Sequence, residues 1–234
     1  MATLALTAPN APPVSMPLCE KLLNIFVSPG EVFEEVVASP PKPACWLVPT
    51  LFVCLTAMIS LLVAPVRENR AAEVRQLAES GAIVSSDTGK FSRRLLPAAA
   101  LTVATSAVAG TFWSAFVLWF IGRMFLKTRF PFWKSIEVVG LTGMILALGT
   151  IVTGLLIAAT GDTAARPALS IFVGPSNPDN KVYSDLEAMN FFHLWTATVL
   201  AVGLSKLARV SFSEAAYWVF GYWVALRVAL IWLA

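Results

Sequence analysis

The stretch IEVVGLTGMILALGTIVTGLLIAA, Ile136–Ala159, decides the fold. Its 24 residues contain a single charged side chain, Glu137, and about 20 residues of helix suffice to cross a hydrocarbon layer about 30 Å thick. Backbone groups inside lipid must find their hydrogen bonds within the protein, so a spanning segment of this kind has to be helical. The stretch therefore predicts a transmembrane α-helix.

Four further apolar stretches have comparable character, and the five predicted spans are residues 45–64, 97–121, 136–159, 186–205 and 215–234. Hydrophobic residues make up 57% of the chain and charged residues only 13%, too few to coat a soluble surface. The sequence predicts an all-α, polytopic membrane protein: a bundle of five transmembrane helices with a short amphipathic N-terminal helical region. The transmembrane domain is expected over residues 45–234.

Two segments precede the first span. Residues 1–17 contain four prolines and no Lys or Arg, which predicts a disordered tail and does not fit a secretory signal. Residues 18–44 predict an amphipathic segment, in which Ser28-Pro29-Gly30-Glu31 is a capping box that begins a helix. Its short helices fit either the membrane surface or packing on the bundle's own end. Similar boxes at Ser184 and Ser211 are expected to begin the fourth and fifth spans.

Small residues recur at helical spacing in the second and third spans. Such stripes let two helix backbones approach closely, so we predict that these spans contact each other through them. A substrate path lined by small residues is the alternative. The predicted packing residues are Ser106, Gly110, Ser114, Gly143, Ala147 and Gly154.

His193, Arg227 and Glu187 are the polar functional candidates, because charged or polar groups inside spans are costly. Arg227 lies halfway along the fifth stretch and could snorkel outward or pair with Glu187. His193, the only histidine, could ligate a haem or carry a proton, but we favour a packing role. Glu137 beside Lys134 indicates an interfacial acid.

Several function classes find no support in the chain. It contains no phosphate loop, nucleophile elbow, HExxH motif or cluster of carboxylates within the spans. We therefore predict no catalytic residues, no cofactor, no metal site and no enzymatic activity. The net charge of +3 gives no reason to expect nucleic-acid binding.

Orientation follows from one short loop. The basic residues balance between the two sides, and only the tight turn from Arg123 to Lys134 favours one side as cytoplasmic. We expect the N-terminus in the cytoplasm, the C-terminus on the opposite side, and the chain in the cell inner (cytoplasmic) membrane.

Two segments resemble a known family. Leu23–Glu35 (LNIFVSPGEVFEE) resembles the N-terminal motif of the Yip (Ypt-interacting protein) domain superfamily, especially its bacterial members, and Phe192–Leu207 resembles its fourth span and following turn. The resemblance implies five helices and a cytosolic N-terminus. Eukaryotic relatives are linked to Rab-type GTPases, membrane curvature and vesicle traffic, and the family supplies no catalytic residues. This chain lacks their long N-terminal region, which argues against GTPase binding.

The leading functional hypothesis is a non-enzymatic membrane protein that organises or shapes the bilayer or scaffolds other membrane proteins. Its expected partners are the lipid bilayer and other membrane proteins or further copies of itself. A transport subunit for a small or lipidic substrate is the alternative, and would need Thr102, Ser106, Thr150, His193 and Arg227 to converge on a cavity. An accessory subunit of a larger membrane complex, carrying a pigment or redox group, rests on His193 alone.

Overall fold

The computed structural model describes residues 16–60, 88–160, 165–169, 186 and 189–233, and gives only the backbone of residues 88–96, 99, 227 and 230–233. Seven helices occupy these ranges, and their one β-type pairing is an isolated bridge between Ala168 and Asn190. The helices are α1 Leu18–Asn24, α2 Pro29–Ala38, α3 Ala44–Ser60, α4 Thr88–Met124, α5 Phe132–Thr160, α6 Phe191–Ala208 and α7 Phe212–Leu233.

Three helices are long and apolar enough to cross a membrane: Ala100–Met124 within α4, Phe132–Thr160 and Phe191–Ala208. They correspond to the second, third and fourth predicted spans. The first predicted span coincides with α3, a shorter apolar helix within the described residues, and the fifth coincides with α7. The chain is thus an all-helical, multi-pass membrane protein.

The fourth span begins later than predicted. Residue 186 was expected to start it, but Met189 is not helical and Asn190 has an extended backbone, so α6 starts at Phe191. The Asn190 side chain caps α6 by accepting a hydrogen bond from the Phe192 N–H. Phe191 N–H also donates to the Pro167 carbonyl. A tertiary contact therefore fixes this helix start, and the box at Ser184 lies outside the described residues.

Two glycines show how α5 and α6 run antiparallel. A methyl group added to Gly203 of α6 would collide with Val138 of α5, and one added to Gly149 of α5 would lie 2.8 Å from the ring of Phe192. Near the start of α5, Gly140 lies against the backbone of Trp46 at the start of α3. The end of the bundle where α4 and α6 finish and α5 and α7 begin is called the basal end below.

The N-terminal helices pack onto this basal end. Val32, Phe33 and Val36 of α2 are fully buried, and α2 contacts both α5 and α6 while α1 contacts α2 and α5. Of the two alternatives for this segment, packing on the bundle's own end is therefore correct for α2. Ser28 precedes α2 as predicted, but its side chain makes no capping hydrogen bond. We call residues 18–38 the α1–α2 hairpin.

Candidate functional site

Four charged side chains meet where the α1–α2 hairpin joins the bundle. Lys21 Nζ lies 3.0 Å from a Glu35 carboxylate oxygen, and Lys134 Nζ lies 2.8 Å from one of Glu137. Lys21, Lys134 and Glu137 are only 1%, 6% and 2% exposed. Moving a single charge into such surroundings costs several kcal/mol, and a close partner offsets most of that cost. These four residues form what we call the charge cluster.

The Lys134–Glu137 pair joins three parts of the chain. Lys134 Nζ also donates a 2.6 Å hydrogen bond to the Val36 carbonyl near the end of α2, where the helix dipole favours a positive charge. Glu137 accepts a hydrogen bond from the backbone N–H of Lys42, just before α3. One ion pair at the start of α5 therefore fixes both the end of α2 and the beginning of α3.

The Lys21–Glu35 pair connects α1 to α2. Its geometry is that of an ion pair without a directed hydrogen bond, because both buried carboxylate oxygens of Glu35 lack a hydrogen-bond partner among the described residues. The buried hydroxyl of Ser135, next to Lys134, also has none. The charge cluster is thus balanced in charge but incompletely satisfied in hydrogen bonds.

A third ion pair lies at the edge of the charge cluster. Lys206 Nζ of α6 lies 2.5 Å from a Glu34 oxygen of α2, and both side chains are substantially exposed. Exposed pairs of this kind contribute about 0–1 kcal/mol. The buried ring of Phe33 packs against Gly203 of α6, 3.3 Å from the position that a Cβ would take on this glycine. Apolar packing therefore accounts for most of the attachment of α2 to α6.

The predicted packing stripe is not the surface through which α4 and α5 meet. The two helices are in contact, but within the described residues no atom of a neighbouring element lies within 4 Å of a Cβ built on Gly110 or Gly154, and Ser106 is exposed. The expectation is therefore wrong for these residues. The buried face of α4 passes through Ala115 and Leu118, about 100° around the helix from the stripe.

The remaining residues of the predicted stripe differ in burial. Ser114 is half-buried, Ala147 is buried, and Gly143 lies beneath Val53 of α3, 3.6 Å from an added Cβ. Gly143 thus packs on the first predicted span. An added methyl group would collide with the backbone of Trp46 at Gly140 and with the Val138 side chain at Gly203, two glycines that the spacing argument did not single out.

The structure describes the side chains of only some of the polar candidates. His193 is exposed in the first turn of α6, at the end opposite the charge cluster. Arg227 lies within α7 but its side chain is not described, and Glu187 is outside the described residues. The hydroxyls of Thr102 and Thr150 donate to carbonyls of their own helices. Thr102 and Thr150 therefore give no support to a transport path, and the transport hypothesis and the hypothesis of a pigment or redox subunit, resting on His193, both stay predictions.

Comparison with known proteins supplies the family. The family model of the Yip1 domain matches residues 23–233, nearly the whole chain. The chain therefore belongs to the Yip1 domain family of multi-pass membrane proteins, as the resemblance of Leu23–Glu35 and Phe192–Leu207 predicted. Neither the curated proteins nor the solved structures contain a match.

Proposed function

We propose that this chain is a non-enzymatic membrane protein that organises or shapes the bilayer, or holds other membrane proteins together. The observation that carries the proposal is the α1–α2 hairpin, which the charge cluster fixes to one end of the bundle. The same hairpin exposes Leu23 and Val27, at 69% and 83%. Apolar side chains held at one face of a bilayer expand that leaflet relative to the other, which favours curvature.

The proposed topology has five spans, with the N-terminus and the basal end on the cytoplasmic side of the inner membrane. Support comes from the short turn between α4 and α5, which contains Lys127 and Arg129 at the basal end. Basic residues in short loops are retained on the cytoplasmic side. With five spans, the end of α7 lies on the opposite side. Its partners are lipid and other membrane proteins or further copies of itself.

Reconstitution tests this function. Purified protein is incorporated into liposomes at increasing protein-to-lipid ratios, and vesicle shape is measured by electron cryomicroscopy. We expect vesicle radius to fall or tubules to form with the natural sequence, and a weaker effect with the double variant Leu23→Ser/Val27→Ser. That variant keeps the charge cluster and the buried face of α2, so it separates the exposed apolar side chains from folding.

Crosslinking in native membranes tests the scaffolding form of the proposal. A specific crosslink, to the same neighbour in repeated preparations and lost in the double variant, is the expected result. Unchanged vesicles together with no reproducible neighbour would contradict the proposed function.

A further inference from the structure

Three exposed cations lie in the connection between α4 and α5 at the basal end, residues 123–131, which we call the basic turn. Arg123, Lys127 and Arg129 are all exposed, and none of them forms an ion pair with a carboxylate of the described residues. Residues 123–136 contain no Asp or Glu. By contrast, the three lysines of the ion pairs described above each have a glutamate partner. The basic turn therefore presents positive charge that this part of the chain does not neutralise.

Hydrogen bonds and one close packing contact fix the shape of the basic turn. The Gly122 carbonyl accepts a 3.0 Å hydrogen bond from the Thr128 N–H and a 3.1 Å hydrogen bond from the Thr128 hydroxyl. The ring of Phe130 packs so closely on Gly122 that an added methyl group would collide with it. Because the three cations adjoin Gly122 or Thr128 in sequence, their side chains leave the backbone close together. Such preorganisation lowers the entropy lost when a ligand binds.

Apolar side chains border these cations. The Arg123 guanidinium lies over the Trp119 ring, 5.6 Å from its centroid, in a cation–π contact. Met124, Phe125 and Trp133 are large apolar side chains that are exposed on either side of the turn. The apolar span of α4 ends here and that of α5 begins here, and aromatic side chains at the ends of spans lie where lipid headgroups meet acyl chains. A ligand at this surface therefore meets positive charge and apolar side chains together.

We propose that the basic turn is a binding site for anionic phospholipid, in which Arg123, Lys127 and Arg129 hold the headgroup phosphate. The planar guanidinium of arginine presents several N–H donors that match a phosphate. Phospholipid is the occupant, and not free phosphate, because the exposed apolar side chains beside the cations cover acyl chains, which free phosphate lacks. The inference goes beyond the proposed function, because it assigns a lipid class to a site outside the α1–α2 hairpin.

Native mass spectrometry tests the site. The purified full chain in detergent is titrated with phosphatidylglycerol, which is anionic, or with phosphatidylcholine, which is zwitterionic, and the Kd of the first bound lipid is measured. The variant Arg129→Gln removes one cation of the basic turn. Its matched control is Arg209→Gln, because Arg209 is also exposed, follows α6 at the basal end, and forms no ion pair with the described residues. Both substitutions lower the net charge by the same amount.

We expect Arg129→Gln to raise the Kd for phosphatidylglycerol about fivefold and Arg209→Gln to raise it less than about twofold, since a cation beside the headgroup contributes about a factor of five. Lys127→Gln should repeat the effect of Arg129→Gln, and so gives a second measurement if one variant fails to fold. Neither variant should change the Kd for phosphatidylcholine.

Two results would overturn the inference. If Arg209→Gln weakened binding as much as Arg129→Gln, the preference would come from net charge and not from the basic turn. Equal affinity of the natural sequence for the two lipids would leave no anionic site to assign. Excess inorganic phosphate, compared with ammonium acetate of equal ionic strength, should not displace the lipid, and displacement would show that the turn binds free phosphate instead. Vesicle shape plays no part in these measurements, so failure here is distinguishable from failure of the proposed function.

Discussion

At the scale of single residues, Lys134 and Glu137 neutralise each other's charge and also hold two other elements of the chain in place. Both side chains are almost completely buried, and each also bonds a backbone group of another element, the Val36 carbonyl and the Lys42 N–H. Removing one partner leaves the other as an uncompensated buried charge, which is far more costly than losing an exposed pair.

The substitution Glu137→Gln should therefore lower the free energy of unfolding by about 3 kcal/mol, since Lys134 keeps its charge without a counterion. Detergent-solubilised protein is unfolded with increasing denaturing detergent and followed by circular dichroism. The matched control is Glu34→Gln, which removes a carboxylate from an exposed pair with Lys206 and should change stability by at most about 1 kcal/mol. Equal losses for the two variants would contradict the assigned role of the charge cluster.

Sequence reasoning recognised the Lys134–Glu137 neighbourhood but assigned it to the interface. A lysine near the end of a span is expected to extend its amine to water, and nothing in the local pattern shows that α2 and Lys21 cover this position. The contacts that bury the pair join residues separated by 95 and 98 positions. Such burial depends on tertiary packing, which spacing within one helix does not report.

At the scale of elements, glycines mark where helices approach most closely. Gly203 lies where α2, α5 and α6 converge, against Phe33 and Val138, whereas a Cβ added to Gly110 would have no neighbouring helix within 4 Å in the part of the chain that the structure describes. Both residues lie inside helices, so intrinsic helix propensity acts on them equally and cancels in the comparison.

Gly203→Ala should destabilise the protein by about 1–3 kcal/mol, because the added methyl group overpacks a buried contact between three helices. Gly110→Ala should be neutral or slightly stabilising, since alanine favours helix and nothing obstructs its methyl group. Thermal unfolding of the two variants in the same detergent provides the comparison. If Gly110→Ala lost more stability than Gly203→Ala, the predicted packing of α4 on α5 through Gly110 would be supported after all.

A charge at Val27 probes the surroundings of the α1–α2 hairpin. Val27→Asp should destabilise the reconstituted protein by more than about 0.5 kcal/mol, because the proposed function places this exposed side chain against lipid, where a carboxylate is costly. Ser213→Asp, at an exposed basal position, should change stability by about 0.5 kcal/mol or less. Unfolding forces measured in bilayers by magnetic tweezers give both values, and a neutral Val27→Asp would place this side chain in water.

The elements themselves could largely be predicted, because a long apolar run has one solution in lipid. The uninterrupted stretch of Ile136–Ala159 fixed α5 to within a few residues. The predicted start of the fourth span was too early: α6 begins at Phe191, whose N–H donates to the Pro167 carbonyl, a contact that local spacing does not reveal. The stripe on α4 was also wrong at Gly110, because small residues are common in membrane helices and do not by themselves mark the contact face.

At the scale of the whole molecule, three features of the described residues lie together at the basal end. They are the charge cluster, the α1–α2 hairpin and the basic turn between α4 and α5.

The proposed orientation can be measured with one cysteine. In a Cys19→Ser background, Ser213→Cys should react with a membrane-impermeant maleimide in inverted membrane vesicles and stay unmodified in intact spheroplasts, because basic short loops keep the basal end in the cytoplasm. Ser213 is exposed, so its accessibility reports the side and not the packing. The reverse labelling pattern would show that the basal end faces away from the cytoplasm, and would contradict the proposed orientation.

The α1–α2 hairpin and the helix to which it is attached are far apart in sequence, which has a consequence for the order of events during synthesis. Val36 is translated 98 residues before Lys134, which at about 5–20 residues per second is a delay of roughly 5–20 s. During that interval the nascent hairpin can form its Lys21–Glu35 pair but has no helix α5 to dock on. Its exposed apolar side chains, Leu23 and Val27, must be sheltered by the insertion machinery or by lipid until the third span arrives. Slow insertion of that span would therefore expose the N-terminal segment to proteolysis.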